Sequence, residues 1–199
     1  MPTTFCNAMA LEPAIVIFDA CVLYPFHLRN VVVQLAVDRL VDARWTDEIH
    51  DEWIRNLAAN VPAISIERLQ ITRALMDQAL PNALVSSYRG HIGAITLPDT
   101  NDRHVMAAGI ASRASVILTW NLRHFPAKEL KKHGLTGQTP DAFLVDLYDK
   151  APDETIASLA NARRNLNKTR VSAADFIGVL KSQKLIQLSA RLGKHLADL

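Results

Sequence analysis

The sequence predicts an α/β fold, in which helices flank a central parallel sheet. Two short and largely apolar runs, 14–18 and 115–119, have the composition of strands that are buried on both faces. Amphipathic helical patterns separate these runs along the chain. Strands that alternate with helices imply parallel pairing and right-handed crossovers. With 199 residues, the chain is long enough to bury one substantial core.

The first half of the chain contains a strand, three helices and two weaker strand patterns. The pattern predicts a strand over 14–18, a helix over 28–44, a helix from Asp47 that Thr46 caps and Pro62 ends, a helix over 65–80, and short strands over 83–85 and 92–97. A segment over 99–111 follows, in which a polar, acidic turn begins a helix of small residues. This helix is expected to pack tightly against the sheet.

The second half of the chain begins with the strand over 115–119 and a loop over 132–138, and then reads as helices only. These helices are expected to start at Pro140, Pro152, Ser172 and Gln183. We therefore predict two parts, a sheet domain over 1–135 and a helical C-terminal extension over 136–199.

Composition narrows the class of protein. A hydrophobic content of 49% with 21% charged residues is typical of a globular protein and argues against disorder. No apolar run approaches the roughly 20 residues of a membrane-spanning helix, and residues 1–13 lack the features of a secretory signal. The two cysteines, Cys6 and Cys21, give no disulfide framework, so a reducing cytoplasm is the expected location.

The basic residues are concentrated towards the C-terminus. Residues 150–199 contain nine Lys or Arg against four Asp or Glu, whereas residues 1–149 contain 13 against 16. A basic excess suits an anionic substrate or partner, and an ordinary solvated helix surface explains the same charges equally well.

Oxygen-bearing side chains follow the predicted strands at one edge of the sheet. Asp19 follows the first strand, Asp99 and Asp102 begin a helix, Asn121 lies just past the second buried strand, and Glu52 can join them from a helix. In open α/β sheets, the ligand crevice lies beyond the carboxyl ends of the strands. We therefore expect these side chains to meet.

A cluster of carboxylates favours a divalent metal. Like charges raise one another's pKa unless a cation neutralises them, and oxygen ligands suit Mg²⁺ or Mn²⁺. Such an ion can activate water and stabilise charge on a phosphoryl group, which indicates metal-assisted phosphodiester hydrolysis. The same acids can also have purely structural roles. Asp19 can cap a helix, Asp99 can form a turn, Asp102 can stabilise the start of a helix, and Glu52 can be a solvated helix position.

Four segments resemble the PIN-domain family, and more narrowly its VapC-type toxin branch. In the family's order, they are Phe18–Pro25, Asp51–Leu57, Asp99–Ala108 and Ile117–Pro126. The resemblance implies a three-layer α/β/α fold and a Mg²⁺- or Mn²⁺-dependent ribonuclease. It also implies RNA as the substrate, a cognate antitoxin as the partner and, frequently, a homodimer.

The resemblance also implies roles for individual residues. Asp19, Glu52 and Asp102 match the family's first three acids, Asn121 occupies the position of the fourth, and Asp99 matches an additional acid frequent in this branch. The expected catalytic residues are therefore Asp19, Glu52, Asp102 and Asn121, with Asp19, Asp102 and Asp99 as metal ligands.

Three positions depart from the family pattern. Asn121 and Asn101 stand where acids are common, which lowers the negative charge of the site, although an Asn carbonyl oxygen can still ligate a metal. Cys21 stands where Asn is common, and we expect weaker hydrogen bonding around Asp19.

Several neighbouring side chains are candidates for substrate contact. Three of them also have an explanation that needs no RNA: Thr119 can pack in a strand, Trp120 can pack in the core, and Arg29 can lie on a solvated helix surface. The candidates are Thr119, Trp120, Arg29, His104 and His124.

Two other functions compete with a ribonuclease. The weakened acid set is compatible with a PIN-like module that binds RNA or a protein partner without cleaving. A phosphatase with Asp19 as covalent nucleophile is disfavoured, because Cys21 occupies the second position of the Asp-x-Asp pair of a common phosphatase fold.

Overall fold

The computed structural model describes residues 12–166 and 169–199 and confirms the α/β prediction. Four parallel strands form one sheet in the order β2-β1-β3-β4, flanked by helices. The strands are β1 (Ala14–Phe18), β2 (Val41–Arg44), β3 (Val116–Leu118) and β4 (Thr136–Gln138). Residues 1–11 lie outside the described residues. They include Cys6 and most of the stretch over 1–13 that is expected to lack a secretory signal.

The helices in the described ranges are α1 (Ala20–Leu23), α2 (Phe26–Val37), α3 (Asp47–Asn60), α4 (Ile66–Ala79), α5 (Arg103–Ala111), α6 (Ala127–Lys131), α7 (Pro140–Lys150), α8 (Pro152–Arg164), α9 (Ala173–Ser182) and α10 (Ile186–Leu192). Short 3₁₀ turns cover Arg89–Ala94, Thr100–Asp102 and Leu122–His124. No helix in the part of the chain that the structure describes is both long and apolar enough to cross a membrane.

The strand β1 is the centre of the sheet and of the core. It pairs in parallel with β2 on one side and β3 on the other, and Val16, Ile17 and Phe18 are completely buried. Phe18 lies opposite Leu118. The residues that follow these two positions, Asp19 and Thr119, therefore emerge side by side at one edge of the sheet.

The predicted single helix over 28–44 is wrong. Helix α2 ends at Val37, and Arg39 adopts a left-handed backbone with φ of 62°. The N–H of Leu40 then donates to the Leu35 carbonyl at 2.9 Å, which is the Schellman pattern of a helix end. The following Val41 starts β2. The apolar spacing of Leu40 and Val41 fits a helix and a strand equally well, which concealed the break.

Two further local predictions are wrong. The expected loop over 132–138 contains β4, whose polar Thr-Gly-Gln sequence lacks strand-forming side chains but pairs with β3. The expected strand over 83–85 is reduced to a single bridge between Leu84 and Trp45, and the whole of 92–97 belongs to a 3₁₀ turn or to irregular chain. Strand β4 therefore exists because β3 offers it backbone partners.

The C-terminal helices pack onto the sheet domain as well as onto one another. The Asn30 side chain on α2 donates to the Ala162 carbonyl on α8 at 2.7 Å. The buried Asp141 carboxylate on α7 accepts the N–H groups of Gln187 and Leu188, both at 3.0 Å, and so holds the first turn of α10. The last helix, α10, starts at Ile186 rather than at the predicted Gln183. The division at residue 135 stays a prediction.

A buried histidine joins α3 to its surroundings. The Trp53 indole donates to His50 Nδ1 at 3.0 Å, and His50 Nε2 lies 3.3 Å from an Asp77 oxygen. Burial lowers the pKa of His50 to about 4, despite the opposing charge of Asp77. The neutral imidazole is therefore part of the native core.

We expect His50 to make stability depend on pH. Its folded-state pKa lies below the unfolded value, so the unfolded chain takes up the proton first as pH falls, and stability is lost between about pH 6.5 and pH 4. The loss is on the order of 2–3 kcal/mol. Urea unfolding of wild type and His50→Gln at pH 7.5 and pH 4.5 measures it. The difference in stability between the two proteins should shrink or reverse at the lower pH; a constant difference would contradict the assignment.

Candidate active site

The Asp19 carboxylate lies at the carboxyl end of β1 and is only 4% exposed. Its N–H continues the sheet by donating to the Leu118 carbonyl at 3.1 Å. The hydroxyl of Thr119, which is completely buried, donates to Asp19 Oδ2 at 2.6 Å. The same hydroxyl oxygen accepts the N–H of Asn121 at 3.0 Å. Thr119 thus fixes the Asp19 carboxylate and shapes the turn that carries Asn121.

Cys21 makes a second link between the two strand ends. Its thiol donates to Asp19 Oδ2 at 3.1 Å, and its sulfur accepts the N–H of Trp120 at 3.3 Å. Burial, followed by the charge of Asp19, raises the pKa of the Cys21 thiol, so the group stays protonated and available as a donor. A thiol is a weak donor, and the Asp19 carboxylate is held mainly by Thr119.

Asp99, Asp102 and His124 form a second group at this edge. Their ligand atoms all lie within 4.8 Å of one another. His124 Nδ1 is 2.7 Å from Asp102 Oδ2 and 3.9 Å from Asp99 Oδ2. The Asp99 side chain also accepts the Asn101 N–H at 2.9 Å, which shapes the turn before α5. This group can hold a metal ion.

Electrostatics connects Glu52 to the other acids. Burial, and then the charges of Asp19 and Asp102, raise the pKa of Glu52 to about 7, with a smaller contribution from Asp99. Burial likewise raises the pKa of Asp102, although the hydrogen bond from His124 opposes the effect. The four acids that the sequence indicated therefore lie close enough to repel one another.

His104 lies between two acids of α3. Its ring nitrogens are 3.8 Å from Glu48 and 3.8 Å from Glu52. Burial lowers the pKa of His104, against the charges of Glu48, Asp19 and Asp102. A neutral imidazole here leaves the acids uncompensated, so His104 does not take the place of a cation.

The remaining candidates have different surroundings. Trp120 is half-buried, and the Nζ of Lys184, in the C-terminal extension, lies 5.9 Å from its ring centroid. Arg29 is only 6% exposed, donates to the carbonyls of Leu23 and Tyr24, and stacks over the Trp53 ring at 4.6 Å. These contacts account for the Arg29 charge without a bound phosphate.

The sequence predicts His124 as a substrate contact, whereas the structure places it with Asp99 and Asp102 as a possible metal ligand. The position of His124, a few residues past the end of β3, placed it at the correct edge of the sheet. The approach of its Nδ1 to Asp102 depends on the 3₁₀ turn over Leu122–His124, which no sequence pattern indicated. The bond from Thr119 to Asp19 was missed for a similar reason, because it depends on strand register.

The donor set fits a divalent cation. Asp99 and Asp102 offer carboxylate oxygens and His124 offers a nitrogen within one small volume. Burial is the largest cause of the raised pKa of Glu52, and the charges of Asp19 and Asp102 add to it, whereas Arg55 opposes them. A bound cation relieves that repulsion. A mixed oxygen and nitrogen set suits Mn²⁺ at least as well as Mg²⁺.

Two comparisons with known proteins found matches to this chain. Residues 140–194 match a family model described as the VapC50 C-terminal domain. The chain is also 36% identical over 104 residues to a Mycobacterium tuberculosis (strain ATCC 25618 / H37Rv) protein named "Putative ribonuclease VapC50". That similarity covers 49% of this chain and 62% of the relative, so less than two thirds of the relative's length is matched. No solved structure matches the chain.

We expect Thr119→Val to destabilise the protein by about 1–3 kcal/mol, because the buried Asp19 carboxylate loses its closest donor. Thr119→Ser keeps the hydroxyl and should cost less. Thr72→Val is the matched control, since the Thr72 hydroxyl bonds to the Arg68 carbonyl on an exposed surface. Urea unfolding measures all three, and equal stabilities for Thr119→Val and wild type would show that the bond contributes nothing.

Proposed function

We propose that this chain is a Mg²⁺- or Mn²⁺-dependent endoribonuclease and the toxin of a type II toxin–antitoxin pair. Both matches support a relation to the VapC-type PIN family. The observation that carries the proposal is the meeting of Asp19, Glu52, Asp99 and Asp102 at the carboxyl edge of β1 and β3. The ribonuclease named in the comparison supports RNA as the substrate.

We assign the residues as follows. Asp19 and Asp102 hold the metal with Asp99, and His124 is a further ligand or the group that orients Asp102. When bound, a divalent ion lowers the pKa of water and stabilises the charge that builds up on a phosphoryl group. Glu52, which lies close enough to Asp19 and Asp102 to feel their charges, and Asn121, through its side-chain amide, position the metal or its waters. Thr119 holds the Asp19 carboxylate in position.

The proposed function also implies protein partners. Phe26 and Leu75, which are 56% and 60% exposed, line one open cleft together, and a protein partner could cover such an apolar surface. We propose an antitoxin as that partner and a homodimer as the form of the enzyme. The free thiol of Cys21 suits a reducing cytoplasm. We also retain the division into a nuclease domain over 1–135 and an extension over 136–199.

Asp19→Asn should abolish Mn²⁺-dependent cleavage of RNA, with a loss of at least about a hundredfold, because the buried carboxylate charge is removed while the shape is kept. Asp102→Asn should behave in the same way. Asp153→Asn, which changes an acid in the first turn of α8, is the matched control and should cleave like wild type. Gel analysis of a labelled single-stranded RNA, with and without chelator, measures cleavage. Undiminished cleavage by Asp19→Asn would refute the site assignment.

A second candidate function is an RNA- or protein-binding module without cleavage, favoured by the Asn residues at positions 101 and 121. Calorimetric titration with Mn²⁺ separates the two candidates. A ribonuclease should bind Mn²⁺ at one or two sites, and Asp102→Asn and His124→Gln should each weaken binding roughly tenfold or more. Absence of Mn²⁺ binding, together with RNA binding that needs no metal, would favour the module.

A further inference from the structure

The turn between α9 and α10 reaches the edge of the sheet where the acids meet. Lys184 lies in this turn, and its Nζ is 5.9 Å from the centroid of the Trp120 ring. The Trp120 N–H bonds to the Cys21 sulfur, and the same sulfur donates to Asp19 Oδ2. A single cysteine side chain therefore separates the Trp120 backbone from the Asp19 carboxylate.

Buried contacts hold this turn in place. The N–H of Leu185, a completely buried residue, donates to the Leu180 carbonyl at 3.1 Å and closes the end of α9. The Asp141 carboxylate caps the first turn of α10. Because α7 and α9 both fix the turn, Lys184 is held beside Trp120 by the fold of the extension.

The positive charge of Lys184 is suited to binding a phosphate beside the acids of the site. The acids of the site repel the phosphates of an RNA strand, so productive binding needs cations at the rim. Lys184 is exposed, and no carboxylate among the described residues forms an ion pair with it. The half-buried Trp120 ring beside it offers an apolar surface next to the strand end. An ammonium group and an aromatic ring together are the elements of a single-strand binding surface.

We propose that Lys184 and Trp120 form one wall of the substrate groove, in which Lys184 binds a phosphate of single-stranded RNA next to the bond that is cleaved. The inference rests on the proposed function in taking RNA as the substrate. It assigns the C-terminal extension a direct part in substrate binding. The competing explanation is structural, in which the contact between the ammonium group and the ring only holds the turn.

The test compares three variants in an Asp19→Asn background that prevents cleavage. Lys184→Met keeps an apolar stem on the Trp120 ring but removes the charge, and Lys184→Arg keeps the charge. Lys181→Met is the matched control, since it removes an exposed lysine three residues earlier on α9. Fluorescence anisotropy with a labelled single-stranded RNA, without divalent ions and over a range of salt concentrations, measures affinity.

Lys184→Met should weaken RNA binding roughly threefold to tenfold at low salt. It should also reduce the slope of log K against log salt by about 0.7, because one phosphate contact is lost. Lys181→Met and Lys184→Arg should bind like the parent. Equal affinities and slopes for Lys184→Met and Lys181→Met, or a parent that does not bind RNA, would overturn the inference.

The two proposals can fail separately. If the wild-type Asp19 protein cleaves RNA with Mn²⁺ but Lys184→Met binds normally, the inference fails and the ribonuclease assignment stands. If nothing is cleaved but RNA binding depends on Lys184 and not on Lys181, the RNA-binding role of Lys184 holds and the cleavage chemistry is refuted.

Discussion

The structure depends on placing an acid at the end of a central strand whose last three residues are completely buried. A carboxylate in such a position is costly unless donors reach it, and the Thr119 hydroxyl supplies the closest one at 2.6 Å. Thr119 can do so because β1 and β3 are paired with Phe18 opposite Leu118. A shift of one residue in that register would turn the Thr119 side chain to the other face of the sheet. The geometry of the site is therefore a consequence of strand pairing in the core.

The acids around Asp19 give this edge an excess of negative charge that the protein neutralises only in part. Nearby histidines relieve it only in part, since burial keeps His104 from taking up a proton readily and His124 is engaged with Asp102. Together with burial, which is the larger cause, this charge raises the pKa of Glu52. A divalent cation is the natural counterion for such a group, which is why the geometry and the family resemblance point to the same chemistry.

The central strands and capped helices could be predicted from the sequence, because their signals are local. Apolar runs mark β1 and β3, and Thr46 and Thr139 accept hydrogen bonds from the third residue after them, as helix caps do. Strands β2 and β4 could not, because they form only where a neighbouring strand supplies partners. The acids of the site could be placed at one edge of the sheet. Their individual contacts depend on register and on a 3₁₀ turn, and these are set by the whole fold.

The pairing of β1 with β3 also has a consequence for biosynthesis. The two strands are separated by about a hundred residues, so a nascent chain emerging from the ribosome holds Asp19 long before it holds Thr119. Until β3 has emerged, the first acid has neither its hydroxyl donor nor its companion Asp102 within a folded pocket. A ribonuclease of the proposed kind would thus stay inert towards the messenger and ribosome that are producing it until more than half of its length has been made.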